Sequence, residues 1–476
     1  LALPLTWIEQ RLAESGLTVE QMVQSEIQQQ AADQVSVSNS IGSLRVLGAM
    51  DWREFVETMS MVEQRLRDDP GGVYGRMDFA TRDRYRHATE EIARKGDLTE
   101  SEVARKAVEL AQAAAGRIVA RDNRGDRAGH VGFYLIDKGL PELERAAAVR
   151  LSAPEALRRV LGRCPLLIYL GGILLISVIL AAGLLAQARA SGIPAGVLSF
   201  TLLPIGMLAL LGVSQLAVAL VNWLTTLLMT PHALPRMDFS EGIPPTSRTL
   251  VVVPTMLTST SGVEDLDEAL AVRCHAICDQ QLYFGLLTDF RDAPMESLPE
   301  DGPLLELART RIDELNEKYG RGPEGSHGDT FFLFHRPRQW NTQDRIWMGY
   351  ERKRGKLADL NALLRGDARA GVSNRFSLVV GNLSVLSEVR YVITLDTDTQ
   401  LPRDAARQFV GAMAHPLNHP HYDETKQRVT EGYGILQPRV AVSLPGTNRS
   451  RYARMYGGEP GIDPYTRAVS DVYQDV

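Results

Sequence analysis

From residue 165 to residue 186 the chain reads PLLIYLGGILLISVILAAGLLA, without one charged side chain. A run of that length and composition spans the hydrocarbon core of a bilayer as a helix, because only a helix satisfies its own backbone there. After the break QARASGIPAG, a second apolar segment extends from about Val197 to Met229. The two predict a transmembrane hairpin, and the rest of the chain must be arranged around it. The second span carries Ser214, Gln215, Asn222 and Thr225. Gln215 and Asn222 lie seven apart and share a helix face, which is expected to meet other helices or protein rather than lipid. Arg158, Arg159 and Arg163 precede the first span, Arg236 follows the second, and the loop between them holds only Arg189. That bias places both flanking regions in the cytoplasm.

Residues 1–160 read as a helical domain. DWREFVETMSMVEQRL (51–66) sets Trp52, Phe55, Val56, Met59, Val62 and Leu66 on one stripe of a single helix. DLTESEVARKAVELAQAAA opens with a capping box, Thr99 to Glu102. The arginine-rich TRDRYRHATEEIARK between them reads as a solvated helix face, with a membrane or partner contact as the alternative. A net charge of −6 excludes a basic nucleic-acid binder, and no nucleic acid is expected as a partner. Cys164, Cys274 and Cys278 make no disulfide framework. Cys274 and Cys278, with only His275 nearby, fall short of a zinc site and read as reduced thiols.

Residues 161–235 form the hairpin, and from 236 to 476 the pattern becomes α/β. RTLVVVPTML, LYFGLLTDF, TFFLFHR, YVITLDTD and YGILQPRVAV read as strands. GVEDLDEALAVRCHAICDQQ, GKLADLNALLRG and LPRDAARQFVGAMAHP read as helices. Strands alternating with helices predict a mostly parallel sheet covered on both faces, whose ligands sit at the carboxyl ends of the strands. Asp289, Asp396 and Asp398 fall at such ends. Asp396 and Asp398 are spaced so that an extended strand would point both the same way, and two like charges there call for something positive beside them. Mg²⁺ or Mn²⁺ answers that need, since it takes carboxylates together with substrate phosphates. Upstream, ERKRGKLADLN brings Arg352, Lys353, Arg354 and Lys356 to a helix entrance, a setting suited to a diphosphate. The combination suggests a nucleoside-diphosphate donor. A lone DxD is a weak signal, and carboxylates capping the next helix, Asp404 among them, are the structural alternative.

The strand-then-DxD pattern also resembles the haloacid dehalogenase phosphatases, but Gln400 stands where that family has Thr or Val. The acids also lie on a late strand rather than the first. VVVPT, the strand ending at Asp289, RGKLADLN and TLDTDTQLP together resemble inverting membrane glycosyltransferases of the GT-A fold. More closely, six stretches look like the cyclic β-1,2-glucan synthase family: PLTWIEQRLAESGLTVEQMVQ, FATRDRYRHATEEIARK, GFYLIDKGLPELE, WMGYERKRGKLADLNALLRG, YVITLDTDTQLPRDAARQFVGAMAHPLNHP and GIDPYTRAVSDVYQD. That resemblance implies an α/β, GT-A-like domain behind a helical domain and a membrane hairpin. It implies a multi-pass protein of the bacterial inner membrane whose cytoplasmic transferase uses UDP-glucose to elongate a β-1,2-glucan. The glucan is later cyclised and exported to the periplasm, with further membrane and phosphorylase-like domains downstream in the same protein.

Carried over by position, the resemblance assigns Asp398 to direct metal contact and Asp396 to the nucleotide side, with or without the metal. It assigns Asp289 to uracil or ribose, and Pro254 and Thr255 to the first nucleotide-facing turn. Lys356 meets the phosphates, with Lys353 and Arg354 as rivals, and Gln437 and Arg439 fall on the acceptor side. The family's general base is expected beyond Val476, Asp463 and Asp471 being weak substitutes. The chain, which starts at Leu1, then reads as a piece of a longer protein and an incomplete catalytic unit. The alternative is a non-catalytic membrane assembly segment with a vestigial transferase fold. His415, His419 and His421 have spacings open to metal ligation, but the prolines among them predict a surface loop.

Overall fold

The computed structural model describes residues 2–16, 18–118, 127–162, 164–190, 195–228, 233–277, 279–320, 328–366, 375–438 and 450–451. The chain divides into two compact units, Leu1–Arg65 and Leu66–Val476.

In the first unit, α1 (Ala2–Glu14) is followed by α2 (Val19–Ala49), which buries none of its residues. Thr18 starts α2 with a capping box: its hydroxyl accepts from Gln21 N and its own N–H donates to the Gln21 side chain. The stripe at 51–66 is two helices rather than one, α3 (Trp52–Met59) and α4 (Met61–Leu66). Ser60 breaks it. Its backbone is extended, and its hydroxyl accepts from Glu63 N at 3.2 Å, a local bond that competes with the continuous helix.

The second unit continues with α5 (Phe79–Lys95), α6 (Glu100–Ile118), α7 (Gly132–Ile136), α8 (Leu140–Ala146) and α9 (Ala153–Leu161). The Thr99–Glu102 box caps α6 from both sides. The arginines of α5 are only partly a solvated face. Arg86 is buried against the Phe79 ring, and Arg84 donates to Ala233 O at 2.6 Å. Next come α10 (Pro165–Ala190) and α11 (Ala195–Leu228). Among the described residues one helix, Pro165–Leu184, is long and apolar enough to cross a membrane, with mean hydropathy 2.5; Leu210–Thr225 is a shorter apolar stretch. The Tyr169 hydroxyl donates to Asn222 Oδ1 at 2.8 Å, joining α10 to α11, whereas Gln215 on the same helix is exposed.

A five-stranded sheet follows, in the order β6-β3-β2-β1-β7. Its strands are β1 (Thr249–Leu257), β2 (Leu282–Phe290), β3 (Phe331–His335), β6 (Leu378–Val380) and β7 (Tyr391–Thr394). All pairings are parallel except that of β6 with β3. Two small hairpins stand apart, β4 (Gln339–Asn341) with β5 (Ile346–Met348) and β8 (His421–Asp423) with β9 (Arg428–Glu431). The helices of this region are α12 (Thr260–Ile277), α13 (Asp301–Tyr319), α14 (Arg352–Leu364) and α15 (Ala405–Ala414).

Strand alternation divides the core. Val251, Val253, Phe284, Leu286, Phe331 and Leu333 face Leu270, Ile312 and Val410 of α12, α13 and α15, with Cys274 among them. Leu250, Val252, Leu287, Phe332 and Phe334 face Leu360 of α14. Each fully buried Leu or Phe contributes about 1.5–3 kcal/mol, so a sheet covered on both faces is the stable outcome of these runs. Pro254 sits inside β1 at no cost to the ladder on one side. β7 pairs only as far as Val252↔Thr394, so no partner there needs the missing N–H. Residues 433–438 of the expected fifth strand are irregular; the remainder of that stretch, Arg439 included, lies outside the described residues, as do Cys278, Asp463 and Asp471.

A buried polar chain joins the helical segment to the α/β segment. Asp69 accepts from Val73 N (3.0 Å), Tyr74 N (3.1 Å), Val131 N (2.9 Å) and His130 Nδ1 (2.9 Å). His130 Nε2 meets the Tyr85 hydroxyl at 3.1 Å, which lies 3.5 Å from His415 Nε2. His415 Nδ1 accepts from Leu417 N, so its Nε2 carries the proton. His415 is therefore fully buried at a domain joint, not on the surface loop its flanking prolines suggest. Burial opposes ionisation of Asp69, but the His130 bond and the amides of Val131 and Tyr74 hold its carboxyl below the usual value. Its stabilisation is present above the unfolded pKa and is lost as pH falls through the lower folded one. Asp69→Asn should cost about 2–4 kcal/mol near neutral pH. Thermal unfolding of both proteins should show that gap narrowing below about pH 4.

Candidate functional site

Three strands deliver charged or polar groups to one end of the sheet. β1 ends in Pro254–Leu257, β2 carries Asp289 at its penultimate position, and β7 gives out just before Asp396. Opposite them α14 begins at Arg352, so Arg352, Lys353 and Lys356 stand in its first turns.

Lys356 is the centre. Its ammonium donates to Asp289 Oδ1 at 2.7 Å and to the Thr255 carbonyl, tying α14 to β2 and β1 at once. Both side chains are almost wholly buried, at 4% and 1% exposure. Burial lowers the Lys356 pKa, and the Asp289 carboxylate opposes that shift. Among the described residues Asp289 Oδ2 has no hydrogen-bond partner, though it is buried. Gly349 lies directly on it, and a Cβ there would collide with that oxygen. Arg336 Nη2 lies 3.6 Å from Oδ2.

Asp396 and Asp398 are arranged differently from the strand-end expectation. β7 ends at Thr394, and both acids lie on an exposed turn in which Thr399 N donates to Asp396 O at 3.1 Å. The alternation of a strand therefore does not apply to them. The positive charge expected beside them is Lys353, whose ammonium pairs with Asp396 Oδ1. Asp398 has no hydrogen-bonding or ion-pairing partner among the described residues. Neither acid caps α15. Asp404 occupies the cap position with φ 62°, yet its side chain makes no capping bond and instead lies 3.6 Å from Arg407. Two solvent-facing carboxylates suit an ion that keeps waters and takes its other ligands from phosphates.

Arg352 reaches Asp292 and Met256 Sδ at the end of β1, and among the described residues Arg354 pairs with Glu351, three positions before it; Lys353 and Lys356 are the cations that meet the strand-end acids. Gln437 is exposed in irregular chain. Sequence reading missed Arg336 and His335, which close β3. His335 Nδ1 meets the Thr288 hydroxyl at 2.9 Å, and burial pushes its pKa down to about 4, so it is neutral. The apolar run before them was the available signal, since a polar pair ending a fully buried strand must find partners.

An open, mostly parallel sheet with paired charges at the carboxyl ends of its strands is the architecture of ligand-binding α/β proteins. No model of a known protein family matches the chain. Over 474 residues, 99% of its length, it is 36% identical to the cyclic beta-(1,2)-glucan synthase NdvB of Rhizobium meliloti (strain 1021). The chain belongs to the cyclic β-(1,2)-glucan synthase family and spans 16% of that relative's length.

The Lys356–Asp289 pair has a direct consequence for stability. Lys356→Met should leave Asp289 as an uncompensated buried charge and cost about 3–5 kcal/mol. Adding Asp289→Leu should recover most of that loss. Denaturant unfolding of the two single variants and the double variant checks both expectations.

Proposed function

We propose that the chain is the donor-binding part of an inverting, GT-A-like glucosyltransferase that uses UDP-glucose with Mg²⁺ or Mn²⁺ to elongate a β-1,2-glucan. The observation that carries the reading is the gathering of Lys356, Lys353, Asp289, Asp396 and the Thr255 carbonyl at the ends of three strands. A nucleoside diphosphate laid across those ends meets Pro254, Thr255 and Asp289 with its nucleoside and the two lysines with its phosphates. For Asp289 to read uracil or ribose itself, the Gly349 turn above it has to lift. Asp398, with Asp396, would hold the metal, and bound there it supplies Lewis-acid stabilisation of the departing diphosphate. Lys353, paired with Asp396 in this structure, would turn to the phosphates.

In this reading the helical residues 1–160 and the transferase 236–476 face the cytoplasm, and the hairpin 161–235 anchors the chain in the membrane. Pro165–Leu184 supports the anchor. The growing glucan, the bilayer and further domains of the same protein are its partners, and cyclisation and export follow elsewhere. Gln437 and Arg439 remain the proposed acceptor side, and no general base is assigned among the described residues. Of the polar face that motivates the assembly-segment alternative, Asn222 meets Tyr169 of the same chain and Gln215 stays exposed.

Calorimetric titration with UDP and Mn²⁺ tests the reading. The unaltered chain should bind, and Asp398→Ala should bind at least about tenfold more weakly, the effect of losing one charged contact. Equal affinity in the two proteins would remove the role given to the aspartates.

A further inference from the structure

If Lys356 turns to a phosphate, it leaves Asp289 behind as a buried anion, and such a charge persists only with a replacement partner. The geometry points to Arg336 as the positioning residue that fills this need. The inference rests on the proposed donor site and names a residue that the resemblance does not.

Arg336 follows β3 directly, with its N–H donating to Thr288 O at 2.9 Å, so its side chain leaves the sheet at the carboxyl end. The guanidinium is buried at 6% exposure. Nη1 donates to Asp359 Oδ2 at 2.7 Å on α14, and Nη2 donates to the Tyr350 carbonyl at 2.8 Å. Asp359 is fixed on its other oxygen by Arg375. Among the described residues, Arg336 Nε and Asp289 Oδ2 are both buried without a hydrogen-bond partner, and Oδ2 lies 3.6 Å from Nη2. A short movement of the guanidinium would bring Nη2 onto Oδ2.

Arg336 also holds the backbone that aims the lysines. Beyond Tyr350, Glu351 and Arg352 are both left-handed, at φ 52° and 48°, a conformation that side-chain-bearing residues adopt only under constraint. The bond from Arg336 to the Tyr350 carbonyl supplies that constraint at the entrance of α14. Gly355 is part of the same fitting, since a Cβ there would strike the Tyr350 carbonyl and lie 2.8 Å from Arg336 Nη1. One guanidinium therefore fixes the turn before Lys353 and Lys356 and stands beside the carboxylate that Lys356 must release.

Titrating the full chain with UDP plus Mn²⁺ and, separately, with uridine tests this role. Arg336→Met should weaken UDP by about tenfold or more, the scale of one charged contact, while leaving uridine unchanged, because only the phosphates need the lysines. Arg336→Lys, which keeps a charge beside Asp289, should recover part of the loss. Glu351→Gly added to Arg336→Met should recover part as well, since glycine takes the left-handed turn without strain. UDP affinity unchanged in Arg336→Met overturns the inference. So does an equal loss of UDP and uridine accompanied by a lower melting temperature, which is the mark of a purely structural residue. Failure of the unaltered chain to bind UDP overturns the donor-site reading, and this inference with it.

Discussion

A lysine buried against an aspartate and a backbone carbonyl holds the charged end of this sheet together. Lys356 comes from α14, Asp289 from β2 and the Thr255 carbonyl from β1. That bond ties α14 to β1 and β2, and together with the Arg336–Tyr350 bond it sets where the helix begins and so where Lys353 meets Asp396. Removing two ionic groups from water is expensive, and apolar packing of the same volume would often serve stability as well or better. A buried pair at the mouth of a sheet, with one carboxylate oxygen still unmet, is more easily understood as a component that changes partners.

Much of the sheet was legible in the sequence, because its strands are continuous apolar runs that end abruptly in turns. Leu282–Phe290 is buried at every position, and the period of the flanking helices separates them from such runs. The limits of each strand were less legible. YVITLDTD reads as one strand through both acids, yet β7 stops at Thr394, where its pairing with β1 ends. Register is set by the neighbouring strand, which a single segment does not display. The break at Ser60 is similar: side-chain bonding to local backbone overrode an apolar stripe that looked continuous.

Of the candidate site, the residue types were legible and their pairings were not. The need for a cation beside Asp396 followed from its charge, but the choice of Lys353 depended on where α14 begins. Arg336 gave no motif, since its role arises from contacts with residues well separated from it in the chain, Asp289, Tyr350 and Asp359. His415 shows the same gap in the other direction. Its prolines suggest exposure, whereas Tyr85 and His130, hundreds of residues earlier, enclose it.

The central claim is that a nucleoside diphosphate sugar occupies the space bounded by the Thr255 turn, the 349–356 turn and Asp396. Photo-crosslinking with an azido-uridine analogue of UDP-glucose, followed by peptide mapping, tests it directly. Label on peptides containing 254–257 or 349–356, displaced by excess UDP, is the predicted result. Label that falls elsewhere in the chain, or that UDP does not displace, would contradict the account.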